Sequence, residues 1–188
     1  MTNYVHTIFN IDNNFGLEEL TMFFYMTSGT PDYMDRMFHN KRDVGLYLLH
    51  GQGNSVLFYE TDKKKSVFAT PRKFEVIAGR GEFEQRGYFA IENIPVADEE
   101  RGLFEEAVVK AVTMLQGDVA CIAYRVLRPV KAETFLVVTQ WSGPVSYEKW
   151  KESASAFTEL IGESTSTTQT MFTSKAYVTT FNAPKDEA

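Results

Sequence analysis

In the stretch "SYEKWKESASAFTEL" (146–160), Tyr147, Trp150, Ala154 and Phe157 recur at spacings of three and four, with Ile161 next in line. That period places them on one face of a helix. Trp150 is one of only two tryptophans in the chain. A ring of this size on an apolar helix face is either a core anchor or one wall of a site for a flat ligand, and periodicity leaves both readings open. Glu92 is the second residue with chemical potential. It interrupts the apolar strand "GYFAIENIPV" (87–96), and alternation puts it on one face with Tyr88, Ala90 and Ile94. A carboxylate in that setting must be paired or protonated. An ion pair with an arginine such as Arg125 is one reading, and a functional acid of raised pKa is the other.

Other chemistry finds little support. Ser146-Tyr-Glu-Lys149 matches S-x-x-K, but nothing resembling the accompanying S-D-N or K-T-G occurs. "GQGNSV" and "GRGEFE" lack the third glycine of a dinucleotide loop, and neither opens a long helix. The three histidines, at 6, 39 and 50, lie early and apart, and Cys121 is the sole cysteine. These counts argue against a His-based metal cluster and exclude an intrachain disulfide or a cysteine cluster. A formal charge of −6 and a pI near 5.2 argue against general nucleic-acid binding or an anionic membrane surface. The one dense basic run, Lys63-Lys64-Lys65, reads as a solvated hairpin tip. No segment approaches the roughly 20 apolar residues of a membrane span. The N-terminus lacks the basic head and apolar run of a signal peptide. A cytoplasmic location is expected.

The elements that must position Trp150 and Glu92 follow from patterning. "MFFYMTSGT" reads as a strand, followed by a short helix capped by Thr30 with Pro31 at its first position. Strands at 44–50 and 55–60 flank the hairpin link "GQGN". "SVFA" reads as another short strand, "PRKFEVI" as a short helix and "AGRGEFEQRG" (78–87) as a linker. After the 87–96 strand, a helix spans 98–117, with Asp98 as cap and Phe104, Ala107, Ala111, Met114 and Leu115 as its stripe. Strands at 119–129 and 132–142, the Trp150 helix, a loop at 162–169 and a strand at 170–183 complete the chain. The order β-α-β-β-α-β predicts a ferredoxin-like α+β fold, and the first half repeats β-α-β-β.

"YRVLRPVKAETFLVVTQW", the Trp150 helix and "SKAYVTTFNA" together resemble the antibiotic biosynthesis monooxygenase superfamily, more specifically its heme-degrading monooxygenases of the IsdG type. The front half, "MFFYMTSGTPDYMDRM" with "SVLFYETD" and "KFEVIAGRGEF", is similar to the two-part subgroup of HmoB-like and TRAP-like proteins. The resemblance implies a ferredoxin-like domain at 83–188 and a smaller α+β domain at 22–82 completing a barrel-like pair of sheets. A monomer with an internal pseudo-dimer follows. It further implies a heme held between sheet and helices and oxidised with O₂ and electrons from an unidentified reductase, in the service of iron acquisition.

The resemblance implies catalytic roles for Trp150, which falls on the family tryptophan, and for Glu92 with Asn93 beside it, on the family asparagine. It implies heme contacts from Tyr147, Phe157 and Tyr88. The family iron ligand, a histidine ten residues after the tryptophan, is replaced by Leu160 between Glu159 and Ile161, and no histidine follows residue 50. The metal ligand is therefore open: water, Tyr88, His50 or His39. An ionised Glu92 accepts hydrogen bonds only, so it can take the asparagine's donor role only when protonated or through a water. Two alternatives stand beside heme degradation: a heme-binding or signal-transduction protein without turnover, and a monooxygenase of another aromatic substrate. Residues 1–21 lie outside the resemblance. They read as a disordered extension, with Met22 as the true start.

Overall fold

Between residues 134 and 141 the chain reads "TFLVVTQW", and every residue after Thr134 is buried. A strand apolar on both faces needs a covering layer on each side. Here Leu136 and Val138 join one core, while Phe135, Val137 and Trp141 join another. The first core fills a barrel and the second lies beneath helices.

The computed structural model describes residues 21–154, 157, 159 and 175–184. Its elements run β1 (Phe23–Gly29), α1 (Pro31–Asn40), β2 (Tyr47–His50), β3 (Ser55–Thr61), β4 (Arg72–Arg80), β5 (Tyr88–Pro95), α2 (Arg101–Val112), β6 (Cys121–Pro129), β7 (Thr134–Trp141), α3 (Pro144–Ser153) and β8 (Tyr177–Asn182). The strands close an antiparallel barrel in the order β1-β3-β2-β8-β5-β7-β6-β4. Among the described residues, no helix is long and apolar enough to cross a membrane.

The order contains two copies of one arrangement. In the C-terminal half, β8-β5-β7-β6 is fourth-first-third-second, the ferredoxin-like order. In the N-terminal half, β4-β1-β3-β2 repeats it without a second helix. The fourth strand of each half closes on the second strand of the other: β4 pairs with β6, and β8 with β2. The expected α+β fold is present, and its second sheet comes from the same chain.

Phe24, Phe58, Phe74, Phe89, Leu136 and Phe181 pack inside the barrel. One barrel end is plugged by the chain between β4 and β5. Tyr47 Oη donates to the Phe83 carbonyl (2.9 Å), Gln85 bonds both backbone groups of Leu48, and Gln140 Nε2 donates to the carbonyls of Glu84 and Arg86. Arg125 grips Glu60 there through two bonds of 2.6 and 3.0 Å.

Several local expectations are overturned. "PRKFEVI" is not a helix but the start of β4, which pairs with both β1 and β6. A register shift between Val76 and Ala78 breaks its alternation, and this disguised the strand. "SVFA" forms no strand: Ser66 Oγ accepts from the Phe68 amide at 3.0 Å, turning Phe68 under the Tyr59 ring. The supposed linker contributes residues 78–80 to β4, and its remainder is the plug. Asp98 does not cap α2. It lies in a 3-10 turn (Asp98–Glu100) and ion-pairs with Arg101 at 2.9 Å. The buried face of α2 runs through Phe104, Val108 and Val112, continuing to Leu115, with Ala107 and Ala111 only half-buried. The side chain of Met114, the 162–169 loop, residues 170–174 of the last strand and residues 1–20 lie outside the described residues.

Candidate functional site

β5 divides its residues between two environments. Phe89, Ile91 and Asn93 face the barrel, whereas Ala90, Glu92 and Ile94 face the helices. Glu92 and Asn93 therefore cannot act on one ligand. Asn93 Nδ2 bonds the Ile91 carbonyl (3.0 Å) and Thr179 Oγ1 (3.4 Å). The sequence reading that set these two side by side is corrected by the pleat itself.

On the helix side, Pro144 sits at the first position of α3, and the helix ends at Ala154, whose φ of −91° and ψ of 53° leave the helical region. The 146–160 reading is thus interrupted at Ala154, and beyond the break Phe157 and Glu159 are again helical. One turn apart, Tyr147 and Trp150 point at the sheet. Trp150 stands 5.3 Å from Trp141, 6.1 Å from Tyr147 and 5.2 Å from Phe157, centroid to centroid. Tyr88 stands 5.8 Å from Tyr147. The structure thus gathers Trp150, Tyr147, Phe157, Tyr88 and Glu92 in one place. Ile161 and Leu160 lie outside the described residues, and Glu159 is exposed.

Trp141 was missed by sequence reading, although it is fully buried at the centre of this cluster. Its Nε1 donates to Thr139 Oγ1 at 2.8 Å, and Thr139 donates to the Ala90 carbonyl at 3.3 Å. Alternation along β7 from Phe135 through Val137 was the available signal.

Glu92 is buried, and Tyr147 Oη donates to its Oε1 at 3.0 Å. Burial raises the carboxyl's pKa, opposed by the Tyr147 hydrogen bond and by the charge of Lys151. Tyr147 is also raised, by burial first and then by Glu92. The expected pairing with Arg125 is overturned, since Arg125 binds Glu60 inside the barrel. A protonated Glu92 keeps an O–H to donate, which meets the chemical condition for standing in for an asparagine. The S-x-x-K match has no catalytic setting: Ser146 Oγ bonds Ser142 Oγ at 3.0 Å, and Lys149 is exposed.

A heme between α3 and the sheet needs an iron donor and room. His39 Nδ1 bonds the Asp35 carbonyl, while His50 is held by Ser55 Oγ (2.7 Å) and Asp35 Oδ1 (3.5 Å); both belong to the α1 side. Of the two sequence-named tyrosines, Tyr147 commits its hydroxyl to Glu92, so Tyr88, 5.8 Å from it ring to ring, is the one sequence-named donor that the fold brings to this face. Among the described residues no group of three or more His, Cys, Asp or Glu could hold a metal ion. The aromatic rings meet one another at contact distance and fill the space a macrocycle would take. Among the described residues, the side chains between α3 and the sheet, as arranged here, do not fit a heme.

No family model matches the chain. It is 22% identical over 132 residues to the "Signal transduction protein TRAP" of Staphylococcus epidermidis, covering 70% of this chain and 78% of that one. Among solved structures, a major regulator of staphylococcal pathogenesis superposes with a TM-score of 0.78 at 22% identity, over 87% of this chain and 99% of that one. A ferredoxin-fold protein of Listeria monocytogenes related to antibiotic biosynthesis monooxygenases gives 0.72 at 17%, over 88% and 95%. The heme-degrading enzyme LmHde of the same organism gives 0.69 at 18%, over 86% and 99%. The chain therefore has the ferredoxin-like fold that these proteins share, as the resemblance implied. In sequence it is similar to the staphylococcal TRAP proteins.

Proposed function

We propose that this chain is a signal-transduction protein of the kind its staphylococcal relatives are named for, built on a monooxygenase fold but without oxygenase turnover. The observation that carries this reading is the filled space under α3. Trp141, Trp150, Tyr147 and Phe157 pack on one another, and Glu92 is tied to Tyr147. The absence of any histidine after residue 50 supports it, because the family ligand position is empty of a donor.

A hemin titration of the purified protein, followed by ascorbate under air, tests the proposal. No saturable shift of the Soret band, or a saturable complex whose band survives the reductant, is expected. A complex whose band decays with release of iron would sink it. That last outcome is the second reading, heme degradation. It is favoured by Trp150, which projects from α3 at the family tryptophan, and by the shared fold with the Listeria heme-degrading enzyme. On that reading Trp150→Ala slows the decay, and the raised pKa of Glu92 keeps a proton available on the site face.

A further inference from the structure

The barrel end opposite the plug is open. A cavity of about 410 Å³ enters there, with Val56, Ile91 and Phe181 among its apolar walls and Asn93, Thr179 and Arg72 among its polar ones. This is a different space from the aromatic cluster, because Ile91 and Asn93 point away from Glu92 along the same strand.

Two side chains of this cavity offer unused bonding capacity. Asn93 is 3% exposed, and its Nδ2 is spent on Ile91 and Thr179, but its Oδ1 accepts no hydrogen bond among the described residues. Arg72 begins β4 opposite Met26, with its guanidinium 5.1 Å from the Phe74 ring centroid. Among the described residues no carboxylate lies within ion-pair range of it, and no Asp or Glu lines the cavity. Contrast the plugged end, where the barrel-facing Arg125 is gripped by Glu60. Arg125 is thus a mostly buried, paired arginine at one end of the barrel, whereas Arg72 is a solvent-exposed arginine at the rim of the other, free to meet an anion entering the cavity.

A planar guanidinium beside an apolar hollow matches a carboxylate joined to a hydrocarbon, since it offers paired donors and the hollow removes apolar surface from water. The volume falls in the range of small-molecule sites. We propose that the barrel mouth binds a medium-chain monocarboxylate, its carboxylate on Arg72 and its chain against Val56, Ile91 and Phe181. Asn93 Oδ1 is left to accept from a hydroxyl, so a hydroxylated acid uses both polar walls. This site is independent of whether the space under α3 ever takes a ligand.

The test is calorimetric titration of the full chain with sodium octanoate, octan-1-ol and octylamine. Octanoate is expected to bind saturably at one to one, with the alcohol and the amine at least tenfold weaker. Arg72→Gln should lose at least tenfold in octanoate affinity at an unchanged thermal midpoint. Val56→Phe, which fills the hollow without touching the charge, should lose binding as well. With methyl-labelled methionine, octanoate should shift the Met26 signal. Absence of saturable octanoate binding, equal affinity in Arg72→Gln, or a Met26 signal that stays still at saturation would each overturn the proposal.

Discussion

Tyr147 Oη on α3 donates a 3.0 Å hydrogen bond to Glu92 Oε1 on β5, joining helix to sheet through a buried carboxyl. The bond stabilises the charged form of Glu92, while burial favours the neutral one, and burial dominates. A phenol and an acid that both resist ionisation are thus joined beneath the aromatic cluster.

The link makes stability depend on pH with a definite sign. Glu92 in the folded chain holds its proton above the ordinary glutamate pKa of 4.5. Between that value and the raised one, the folded state binds more protons than the unfolded state, so stability falls as pH rises. Glu92→Gln cannot ionise and should remove this part of the fall. Urea unfolding of both proteins from pH 4 to pH 8 should therefore give curves that diverge, with the variant gaining relative to wild type as pH increases. Parallel curves would mean that Glu92 has an ordinary pKa in the folded chain.

Removing the donor should push the acid further. Tyr147→Phe keeps the ring but deletes the hydrogen bond that favours the Glu92 anion, so the Glu92 pKa should rise again. An NMR titration of the glutamate side-chain carbonyl carbons measures it. The lost bond should also cost about 1 kcal/mol of stability. A Glu92 pKa that falls in this variant would contradict the assignment of donor and acceptor.

How much of this was legible beforehand depends on which force set each feature. The helix bearing Trp150 and Tyr147 was readable because its residues repeat at three and four, and the ferredoxin-like order followed from turn spacing. β4 was not, because a bulge between Val76 and Ala78 breaks the period that marks a strand. Glu92 stood out as an anomaly, but its partner could not be named: Tyr147 lies 55 residues away, and only packing of α3 on β5 brings them together. Asn93 was misassigned because adjacency in sequence is opposition in a pleated sheet. Trp141 was overlooked since a tryptophan ending an apolar strand looks like any core residue until the helix above it is placed.

At the plugged barrel end, Arg125 and Glu60 are mostly buried, with side-chain exposures of 13% and 21%. Arg125 also donates to the carbonyls of Arg80 and Tyr124 and lies 4.9 Å from the Phe83 ring centroid. Removing one partner strands the other charge, which costs about 3 kcal/mol for a buried pair. Glu60→Leu should therefore destabilise the chain strongly, and adding Arg125→Met should restore part of the loss. A double-mutant cycle by urea unfolding gives the coupling. A double variant less stable than the sum of the singles would show that the pair is not the unit of stability here.

The plug also depends on two glycines in left-handed backbone conformations, where any Cβ would meet neighbouring backbone. Gly81 has φ of 71°, and a Cβ there would lie 2.3 Å from the Ile122 carbonyl oxygen. Gly87 has φ of 79° and would place its Cβ 2.5 Å from the carbonyl oxygen of Trp141. Gly53, in the β2–β3 hairpin, has φ of 83° but meets nothing within 4 Å. The left-handed backbone alone costs an alanine about 1 kcal/mol, and that is the expected loss for Gly53→Ala. At Gly81 and Gly87 the clash is with backbone that cannot rotate away, so alanine should cost about 3 kcal/mol at each. The two clashes strike β6 and β7, the strands that hold Cys121 and Trp141. Thermal unfolding of the three variants separates the contributions. A Gly53→Ala loss as large as the other two would mean that strain alone sets the cost, and that the close approach of the plug to β6 and β7 is not what holds the barrel end shut.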